Sequence, residues 1–496
     1  MYRRSDLVVT ALVLSLAGAA TATPASASQS TPRLSISSPT LTPRYTLNSS
    51  DFTVRCSAPI SVSVIAGNGV TVGLDGAAKR SGSFVRSISL KPGQAFRIRV
   101  SGRRAYESQT VRCLPDDFPL WSVSRSKAAR PQAQWYIISP DLRAVAGNSL
   151  PGTGEPYAVV VNSDGVPVWW MRDGAAPPMD VKLVGRNRIA WSLFGYDTPI
   201  RVRSFGGRIL STARPVDAIA DFHEFQVTDD GGYLLVGNRL RDCPSNPSEC
   251  VDLSKWGGPA QATILDNVIQ KLDRSGKLLW QWSTKGRIAA EEGARWITNP
   301  SARPRVFPDG RTAYDIFHIN AVAQDKGSIL FSARHLDAAY KINLRSGAIA
   351  WKLGGTARKQ SLRVTGNPEG LSGVHDVRVL DDGTITLHDN GSFLTRGPRG
   401  VRFEVGGGVA KLIERVSDAR VKFSLCCGSA RRMRAGNWVM TSGAGSSTVS
   451  ELTPLGRPLL TLTMPTNLFT YRADAIEPGR LSAAALRAGM DAQAPR

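Results

Sequence analysis

Apolar and polar residues alternate over short runs between residues 33 and 117, and Gly and Ser residues separate these runs. Two examples are residues 52–56 (Phe-Thr-Val-Arg-Cys) and residues 96–100 (Phe-Arg-Ile-Arg-Val). A period of two is typical of strands with one buried face, and closely spaced turns are typical of a β-sandwich. The pattern predicts a small β-sandwich domain over residues 28–120, followed by a linker over residues 121–134.

A weak internal repeat begins at about residue 135. Three segments align without gaps, and each starts with a histidine: residues 223–239, 318–334 and 375–391. Counted from that histidine as zero, all three have Val at position four, Asp at position seven and Leu at position twelve. Such a segment is typical of a strand, an Asp/Gly turn and a second strand.

A second pattern follows the first two copies. It covers residues 268–282 and 339–353, and partial copies cover residues 158–171 and 449–462. Each copy again predicts two strands around a Gly turn. Together the two patterns make a four-stranded antiparallel unit of roughly 45–60 residues, which is the size of a propeller blade.

About six such units fit between residues 135 and 478, which predicts an all-β protein with a six-bladed β-propeller after the sandwich. The copy at residues 158–171 lacks a full hairpin before it, and the last unit lies near the C-terminus. We therefore expect strands from both ends to complete the ring, with residues 479–496 as a C-terminal tail. A large β-sandwich and a β-solenoid are the alternatives that this pattern leaves open.

The N-terminus has the features of a secretory signal peptide. Arg3 and Arg4 precede an apolar run over residues 7–20, and residues 25–27 form an Ala-Ser-Ala cleavage site. The run is short for a membrane span, so a retained anchor is disfavoured. We expect cleavage after Ala27 and a secreted or extracytoplasmic protein with no integral membrane segment.

Six cysteines in an exported chain predict disulfides. Cys56 and Cys113 lie in the predicted sandwich and would staple it. Cys243 and Cys250 bracket a polar insert and would close a short surface loop. Cys426 and Cys427 are adjacent, and the sequence leaves them open between a vicinal bridge and two buried thiols.

The charge balance favours anionic partners. The formal net charge is +22, and 42% of the residues are hydrophobic, which excludes a wholly disordered chain. A basic chain attracts nucleic acid, acidic surfaces or small sulfated and phosphorylated molecules, although an Arg-rich proteome would give the same excess. No dense Lys/Arg block interleaved with aromatic residues occurs, so nucleic acid is not an expected partner.

The chain has only five histidines, and all of them lie in the repeat region. His223, His318 and His375 share one repeat position at the start of a first strand. First strands line the channel of a propeller, so equivalent positions are expected to converge at one mouth of that channel. The alternative is that repeat similarity preserves three structural histidines. The remaining two are His335 and His388.

Each hairpin adds a neighbour to its histidine. The second strand returns to the start of the first, which predicts Arg334 beside His318 and Arg239 beside His223. Asn320 lies two residues after His318, on the same face of the strand. Three imidazoles suggest a metal, and Asp221, Glu224 and Asp376 are nearby carboxylates, but adjacent arginines repel cations. The set suits a tetrahedral oxyanion better, so neither metal nor cofactor is expected.

At these residues the sequence resembles the bacterial arylsulfate sulfotransferases. The likeness runs from about residue 135 to residue 470 and is strongest over residues 315–391. The motifs that carry it are Asp-Phe-His-Glu-Phe (221–225), Phe-His-Ile-Asn (317–320), Ser-Ala-Arg-His-Leu-Asp-Ala-Ala-Tyr-Lys-Ile-Asn (332–343), Trp-Lys-Leu-Gly-Gly (351–355), Val-His-Asp (374–376) and His-Asp-Asn-Gly (388–391).

The resemblance implies an exported six-bladed propeller with a small N-terminal β domain. It implies sulfuryl transfer from an aryl sulfate to a phenol without a nucleotide donor. His375 matches the nucleophile, which becomes a transient sulfohistidine. His318, Asn320 and Arg334 match residues that hold the sulfuryl and bridging oxygens, and His223 matches a histidine that assists proton transfer. The loops around residues 284–316 differ from those of enterobacterial members, so the acceptor is not implied.

Other functions fit parts of the sequence. A non-catalytic propeller that binds anionic ligands or an envelope partner would keep the same mouth. A sulfatase with a modified cysteine is suggested by residues 427–431 (Cys-Gly-Ser-Ala-Arg), but the third residue is Ser and no downstream signature follows. The Trp-ended repeats leave open a quinone-dependent dehydrogenase on a propeller, although Trp at these positions suits packing between blades better.

Overall fold

The computed structural model describes most of the chain after residue 33. The described residues are 34–102, 108–127, 130–140, 142–145, 148–151, 156–298, 304–307, 309–444, 446–465 and 468–496. The predicted signal peptide and its cleavage site therefore lie outside the described residues. Strands dominate the described part, so the all-β prediction is confirmed.

Seven strands form two sheets in the N-terminal part. They are β1 (Leu34–Ser37), β2 (Asp51–Arg55), β3 (Ile60–Ala66), β4 (Thr71–Leu74), β5 (Gly82–Ile88), β6 (Ala95–Ser101) and β7 (Gln109–Leu114). One sheet has the order β1-β3-β5 and the other β2-β7-β6-β4. In β3, buried and exposed residues alternate along the whole strand. The inward residues of both sheets form one apolar cluster that includes the Cys56–Cys113 disulfide.

The next strands are β8 (Ser122–Arg125), β9 (Trp135–Ile138), β10 (Leu142–Val145), β11 (Asn148–Pro151), β12 (Tyr157–Asn162) and β13 (Pro167–Arg172). The chain then forms two consecutive four-stranded antiparallel sheets. The first contains β14 (Pro178–Val184), β15 (Arg188–Leu193), β16 (Ile200–Ser204) and β17 (Ile209–Ala213). The second contains β18 (Ile219–Val227), β19 (Tyr233–Leu240), β20 (Leu265–Leu272) and β21 (Leu278–Ser283).

Two irregular segments interrupt this order. The loop between β19 and β20 contains two 3-10 turns, Pro247–Glu249 and Ser254–Trp256. An insertion between β21 and the next sheet contains a 3-10 turn, a short helix and a small hairpin: Ala290–Gly293, α1 (Ala294–Ile297), β22 (Arg305–Val306) and β23 (Thr312–Ala313). A third four-stranded antiparallel sheet of this kind follows with β24 (Ile319–Asp325), β25 (Ser328–Ala333), β26 (Ala338–Asn343) and β27 (Ile349–Gly354). A single 3-10 turn, Arg334–Leu336, connects β25 to β26.

The remaining strands are β28 (Arg363–Thr365), β29 (His375–Val379), β30 (Ile385–Asp389), β31 (Arg399–Gly406), β32 (Val409–Val416), β33 (Ser429–Arg432), β34 (Trp438–Thr441), β35 (Thr448–Leu452), β36 (Pro458–Thr463), β37 (Leu468–Phe469) and β38 (Asp474–Ile476). They give sheets of order β28-β32-β31-β30-β29 and β33-β34-β35-β36-β8. A further sheet has the order β13-β12-β9-β38. Two of these sheets thus combine strands from both ends of the repeat region.

The pairing of β8 with β36 corrects the predicted linker. Thr461 pairs with Ser124, so residues 122–125 complete a sheet instead of connecting two domains. The tail also has a structure of its own, α2 (Ala483–Gln493), which begins where the Ser482 hydroxyl accepts a hydrogen bond from the Ala485 N–H. Leu486 and Met490 are buried in the apolar cluster around β12 and β13.

The first strands of successive sheets contact one another: β14 with β18, β18 with β24, and β24 with β29. This neighbourhood brings the starts of three repeat segments to one place. The described part contains the disulfides Cys56–Cys113, Cys243–Cys250 and Cys426–Cys427, which fit an oxidising, extracytoplasmic compartment. Among the described residues, no helix has the length and apolar character needed to cross a membrane.

Candidate active site

Four buried imidazoles form a contiguous group, which we call the histidine cluster: His223, His318, His335 and His375. The ring centroid of His318 lies 4.6 Å from that of His223, 4.6 Å from that of His335 and 6.5 Å from that of His375. The three histidines of the shared repeat position are therefore brought together. His335 joins them because the 3-10 turn after β25, Arg334–Leu336, brings its ring against that of His318.

Irregular backbone at the strand starts aims these side chains. The strand register shifts between Ala220 and Phe225, between Ile319 and Ala321, and between His375 and Arg378. Extra residues on one strand bend it and redirect its side chains. His318 also has a φ of +58°, a left-handed conformation that non-glycine residues adopt rarely and that is often found at functional sites.

The hydrogen bonds around His375 fix its tautomer. Its Nδ1 lies 2.9 Å from the Gly373 carbonyl oxygen. The Asn390 amide nitrogen donates to that carbonyl over 2.7 Å and to the Cys427 carbonyl over 3.0 Å, so both of its hydrogens have acceptors. Nδ1 of His375 must then carry its own hydrogen, and the lone pair is on Nε2. Burial, and next the Arg334 charge, hold the pKa of His375 well below its usual value, which keeps the ring neutral.

Two of the other histidines each bond a buried carboxylate. His318 Nδ1 lies 2.5 Å from Asp315 Oδ2, and His223 Nδ1 lies 2.7 Å from Asp221 Oδ1. The second Asp221 oxygen accepts from Asn238, which fixes the carboxylate. Each carboxylate orients its ring so that Nε2 faces away from it. Burial, followed by the positive charges of its neighbours, holds the pKa of His318 well below its usual value.

Arg334 lies beside His318, as the hairpin predicts. Its backbone N–H donates to the His318 carbonyl over 2.9 Å. Its guanidinium donates to His335 Nε2 over 2.8 Å and to the Leu425 carbonyl over 3.0 Å, and it stacks 4.6 Å from the Trp296 ring centroid. Burial lowers the pKa of Arg334 to about 10, so it remains a cation near neutral pH. Its Nε is buried and has no hydrogen-bond partner among the described residues.

Asn320 is buried in this region, and its side chain bonds the protein backbone. Its amide donates to the Val374 carbonyl over 2.8 Å, and its side-chain oxygen accepts from Ser332 over 2.7 Å. The side chain thus fastens the residue that precedes His375. The amide group therefore connects β24 with the strand that carries His375.

The structure places Arg239 outside the histidine cluster, which corrects the hairpin prediction. Its guanidinium donates to the Asp217 carbonyl and to the side chain of Gln281 on the outer strand β21. In β18 four residues, 221–224, stand opposite the single residue Val236. This bulge moves the end of β19 past His223, whereas β24 starts directly after His318 and brings Arg334 opposite it.

Several contributing residues were not identified from the repeat. Asp315 precedes His318 by three residues, inside the insertion between β21 and β24, and Asn390 was recognised only as part of a motif. Tyr471 lies beyond the repeated hairpins, yet its ring contacts His223 at 5.8 Å. A carboxylate two or three residues before a repeat histidine, as in Asp221 and Asp315, is the one signal that the sequence offered for such partners.

An aromatic wall borders the histidine cluster. Phe222 stacks on His223 with 4.2 Å between ring centroids, and Tyr196 lies 5.9 Å from Phe222 and 4.7 Å from Phe307. Met179, Phe222, Cys427 and Tyr471 belong to one buried apolar group. The site thus combines cationic and neutral nitrogen donors with flat apolar surface, which suits a ligand with an anionic group on an aromatic ring.

Buried ion pairs connect the strands that carry these side chains. Arg472 donates to Asp180 and to Glu224 over 2.7 Å each, and it also donates to the Asn320 carbonyl. Burial alone would raise the pKa of Glu224, but Arg378 and other cations hold it well below its usual value. One arginine therefore joins the strand that carries His223 to the strand that follows His318.

Comparison with known proteins decides the family. The family model described as "Arylsulfotransferase (ASST)" matches residues 200–463, which is more than half of the chain. The chain belongs to the arylsulfotransferase family. The matched range contains the whole histidine cluster and Arg334 of this arylsulfotransferase, and membership in the family indicates a sulfotransferase that acts on aryl sulfates and phenols.

Solved structures resemble this arylsulfotransferase only distantly. A protein of unknown function from Bacteroides caccae has 10% identity, covers 69% of this chain and 99% of its own, and gives a TM-score of 0.42. The Dos1 propeller has 10% identity, and the match covers 71% of this chain and 88% of that protein with a TM-score of 0.32. Hsv2 of Kluyvelomyces marxianus has 12% identity, and the match covers 74% of this chain and 87% of that protein with a TM-score of 0.30. No curated protein matches the chain.

One group in the arylsulfotransferase site has the donor types of a metal site. Asp315, His318 and His335 each offer a ligand atom, and these atoms lie within 4.8 Å of one another. However, both ring nitrogens of His335 already have partners. Nδ1 lies 2.5 Å from the Asp315 carbonyl oxygen, and Nε2 accepts a hydrogen bond from Arg334. A cation would also lie beside the Arg334 guanidinium. The set suits an anion better than a metal ion.

Proposed function

We propose that this protein is an aryl-sulfate sulfotransferase that moves a sulfuryl group from a phenolic sulfate ester to a phenol through a sulfohistidine at His375. No nucleotide donor, metal or cofactor takes part. The observation that carries the proposal is the state of His375, a buried neutral imidazole whose Nδ1 is bonded to the Gly373 carbonyl. Membership in the arylsulfotransferase family supports it.

The proposed architecture has three parts. The two N-terminal sheets, within residues 28–120, are a β-sandwich, and the six sheets of four or five strands within residues 122–476 are the blades of one propeller. The shared contacts of β14, β18, β24 and β29 support an axial channel lined by first strands. An N-terminal signal over residues 1–27 exports the chain, in agreement with its disulfides.

In the first half-reaction, Nε2 of His375 attacks sulfur, an N–S bond forms and the S–O(aryl) bond breaks. The electron pair of that bond leaves with the phenolate. Arg334 interacts with the sulfuryl oxygens, where negative charge is held during transfer. His223, oriented by Asp221, gives a proton to the departing phenolate, because a phenol with a pKa near 10 is a better leaving group than its bare anion.

In the second half-reaction, an acceptor phenol attacks the sulfohistidine. His223 takes the phenol proton, the new O–S bond forms and the N–S electron pair returns to His375. The enzyme is back in its starting state, so the atoms and protons balance over one cycle. A covalent intermediate of this kind gives ping-pong kinetics. His318 and the backbone that Asn320 fastens hold the geometry between the two steps.

The deciding experiment is intact-mass spectrometry of the mature protein after brief incubation with a chromogenic aryl sulfate. We expect the added mass of one sulfuryl group, mapped to His375 among the five histidines, and its loss when phenol is added. His375→Asn, which keeps a polar side chain of similar reach, should form no adduct and release no phenol. A folded protein that binds sulfate but forms no adduct would instead favour a non-catalytic, anion-binding propeller.

A further inference from the structure

Tyr471 enters the site from a part of the chain outside the family match. It lies between β37 and β38, eight residues after position 463, where the matched range ends. Its carbonyl accepts a hydrogen bond of 3.0 Å from the Gly428 N–H. This bond ties the C-terminal segment to the loop that follows Cys427, and it fixes the backbone from which the tyrosine ring projects.

The ring of Tyr471 is held on two sides. It lies edge-on to the His223 ring at 5.8 Å and packs in the apolar group that contains Phe222 and Cys427. The Arg472 guanidinium lies 4.9 Å from its centroid, and ion pairs with Asp180 and Glu224 immobilise that guanidinium. The ring is 2% exposed, so its orientation is set by packing and not by solvent.

The hydroxyl of Tyr471 is buried and has no hydrogen-bond partner among the described residues. Buried polar groups are nearly always paired, and an unpaired one is costly, so each exception asks for an explanation. Arg334 Nε and the Thr441 hydroxyl are also buried and have no hydrogen-bond partner in the described part of the chain. Burial raises the pKa of Tyr471, which keeps its proton on the oxygen. The ring that packs against His223 therefore carries a neutral O–H donor with no acceptor among the described residues.

We propose that the Tyr471 hydroxyl donates a hydrogen bond to an oxygen of the sulfuryl group that is being transferred, and so acts as a further catalytic residue. The inference rests on the proposed function. A sulfuryl group offers acceptor oxygens, and Arg334 occupies only part of their hydrogen-bonding capacity. A preorganised donor in a water-poor site stabilises charge as it shifts between the oxygens of the transition state. Tyr471 adds this donor without adding net charge.

The test is Tyr471→Phe, which removes only the hydroxyl. With an aryl sulfate donor we expect kcat/KM to fall at least tenfold, as removal of a transition-state donor does. The melting temperature should stay the same or rise, because the variant loses no hydrogen bond to the described residues. Tyr233→Phe is the matched control: it deletes the 2.7 Å bond from Tyr233 to Ser211, so its melting temperature should fall while its activity stays unchanged.

A donor at the same place should restore function. Replacement of Tyr471 by 4-aminophenylalanine, which carries an N–H where tyrosine carries its O–H, is expected to recover part of the lost activity. Rescue by this variant supports a hydrogen bond from position 471. Failure of the rescue, together with a lowered melting temperature in Tyr471→Phe, would assign the hydroxyl to stability alone and overturn the inference.

Sulfohistidine formation separates this inference from the function on which it rests. If the unaltered protein forms no adduct at His375, the proposed function fails. If it forms the adduct and Tyr471→Phe forms it at the same rate, only the role of Tyr471 fails. Adduct formation that is at least tenfold slower in Tyr471→Phe supports both.

Discussion

The side-chain nitrogen of Asn390 lies 3.0 Å from Nδ1 of His375, and both nitrogens are donors to the same Gly373 carbonyl. Asn390 also bonds the Cys427 carbonyl, so one amide joins the histidine of β29 to the loop that carries the vicinal disulfide. This amide cannot accept the proton of His375 Nδ1. It leaves the ring one orientation, with Nε2 as the free base.

Replacement of Asn390 by Leu, which has nearly the same shape, should lower the rate of sulfohistidine formation. The bonds from Asn390 to the Gly373 and Cys427 carbonyls would be lost, and each hydrogen bond of this kind contributes about 1 kcal/mol to the free energy of unfolding. Single-turnover kinetics and denaturant unfolding measure the two effects. Asn343→Ala removes an exposed turn asparagine that bonds the Arg345 N–H, and it should leave the rate unchanged. Equal rates in both variants would contradict the role of Asn390.

Arg334 and Arg239 occupy the same repeat position but have different surroundings, which makes them a matched pair. Arg334→Lys keeps the charge but loses the forked bonds to His335 and Leu425, so we expect kcat to fall about 100-fold or more. Arg239→Lys should keep nearly full activity, because its partners are Asp217 and Gln281. Steady-state kinetics with one aryl sulfate would compare them. Similar losses of kcat in both variants would show that Arg239 also contributes to the active site.

The repeat was enough to predict the all-β class and the proximity of three histidines. Strand periodicity and turn residues are local, and identical repeat positions share one geometry, so His223, His318 and His375 could be placed without coordinates. The prediction for Arg334 held for the same reason. That for Arg239 was wrong because the register depends on a bulge at residues 221–224, whose formation depends on contacts with neighbouring sheets.

Contributions from outside the repeat could not be predicted. Asp315 lies in an insertion, Tyr471 in the segment that returns toward the first sheet, and residues 122–125 in an apparent linker. Residues 122–125 are placed by pairing with β36, whereas Asp315 and Tyr471 lie between strands, and no periodic pattern surrounds any of them. Whether Cys426 and Cys427 form a disulfide likewise depends on how their loop is held. The Leu425 carbonyl accepts a hydrogen bond from Arg334, and the Cys427 carbonyl accepts one from Asn390.

The vicinal disulfide is expected to support activity through those two carbonyl groups. Cys426→Ser combined with Cys427→Ser would free the loop, loosen the positions of Arg334 and Asn390, and lower kcat by about tenfold, as small misplacements of catalytic groups do. The matched control is Cys243→Ser with Cys250→Ser, which opens the loop between β19 and β20 and should leave kcat unchanged. Assays of both double variants under identical oxidising conditions decide the matter; equal kcat values would rule out this support.

The stability of the protein should fall as the pH drops below about 6.5, the ordinary pKa of histidine. Burial holds the pKa of His388 at about 4 in the folded state, so the unfolded chain binds the proton more readily. A depressed folded pKa contributes stability that is present above the unfolded pKa and is lost as the pH falls through the folded one. Burial likewise depresses the pKa values of His318, His335 and His375. Urea unfolding between pH 7 and pH 4 should show this loss, and His388→Asn should reduce it. A variant with an unchanged pH dependence would show that His388 does not contribute.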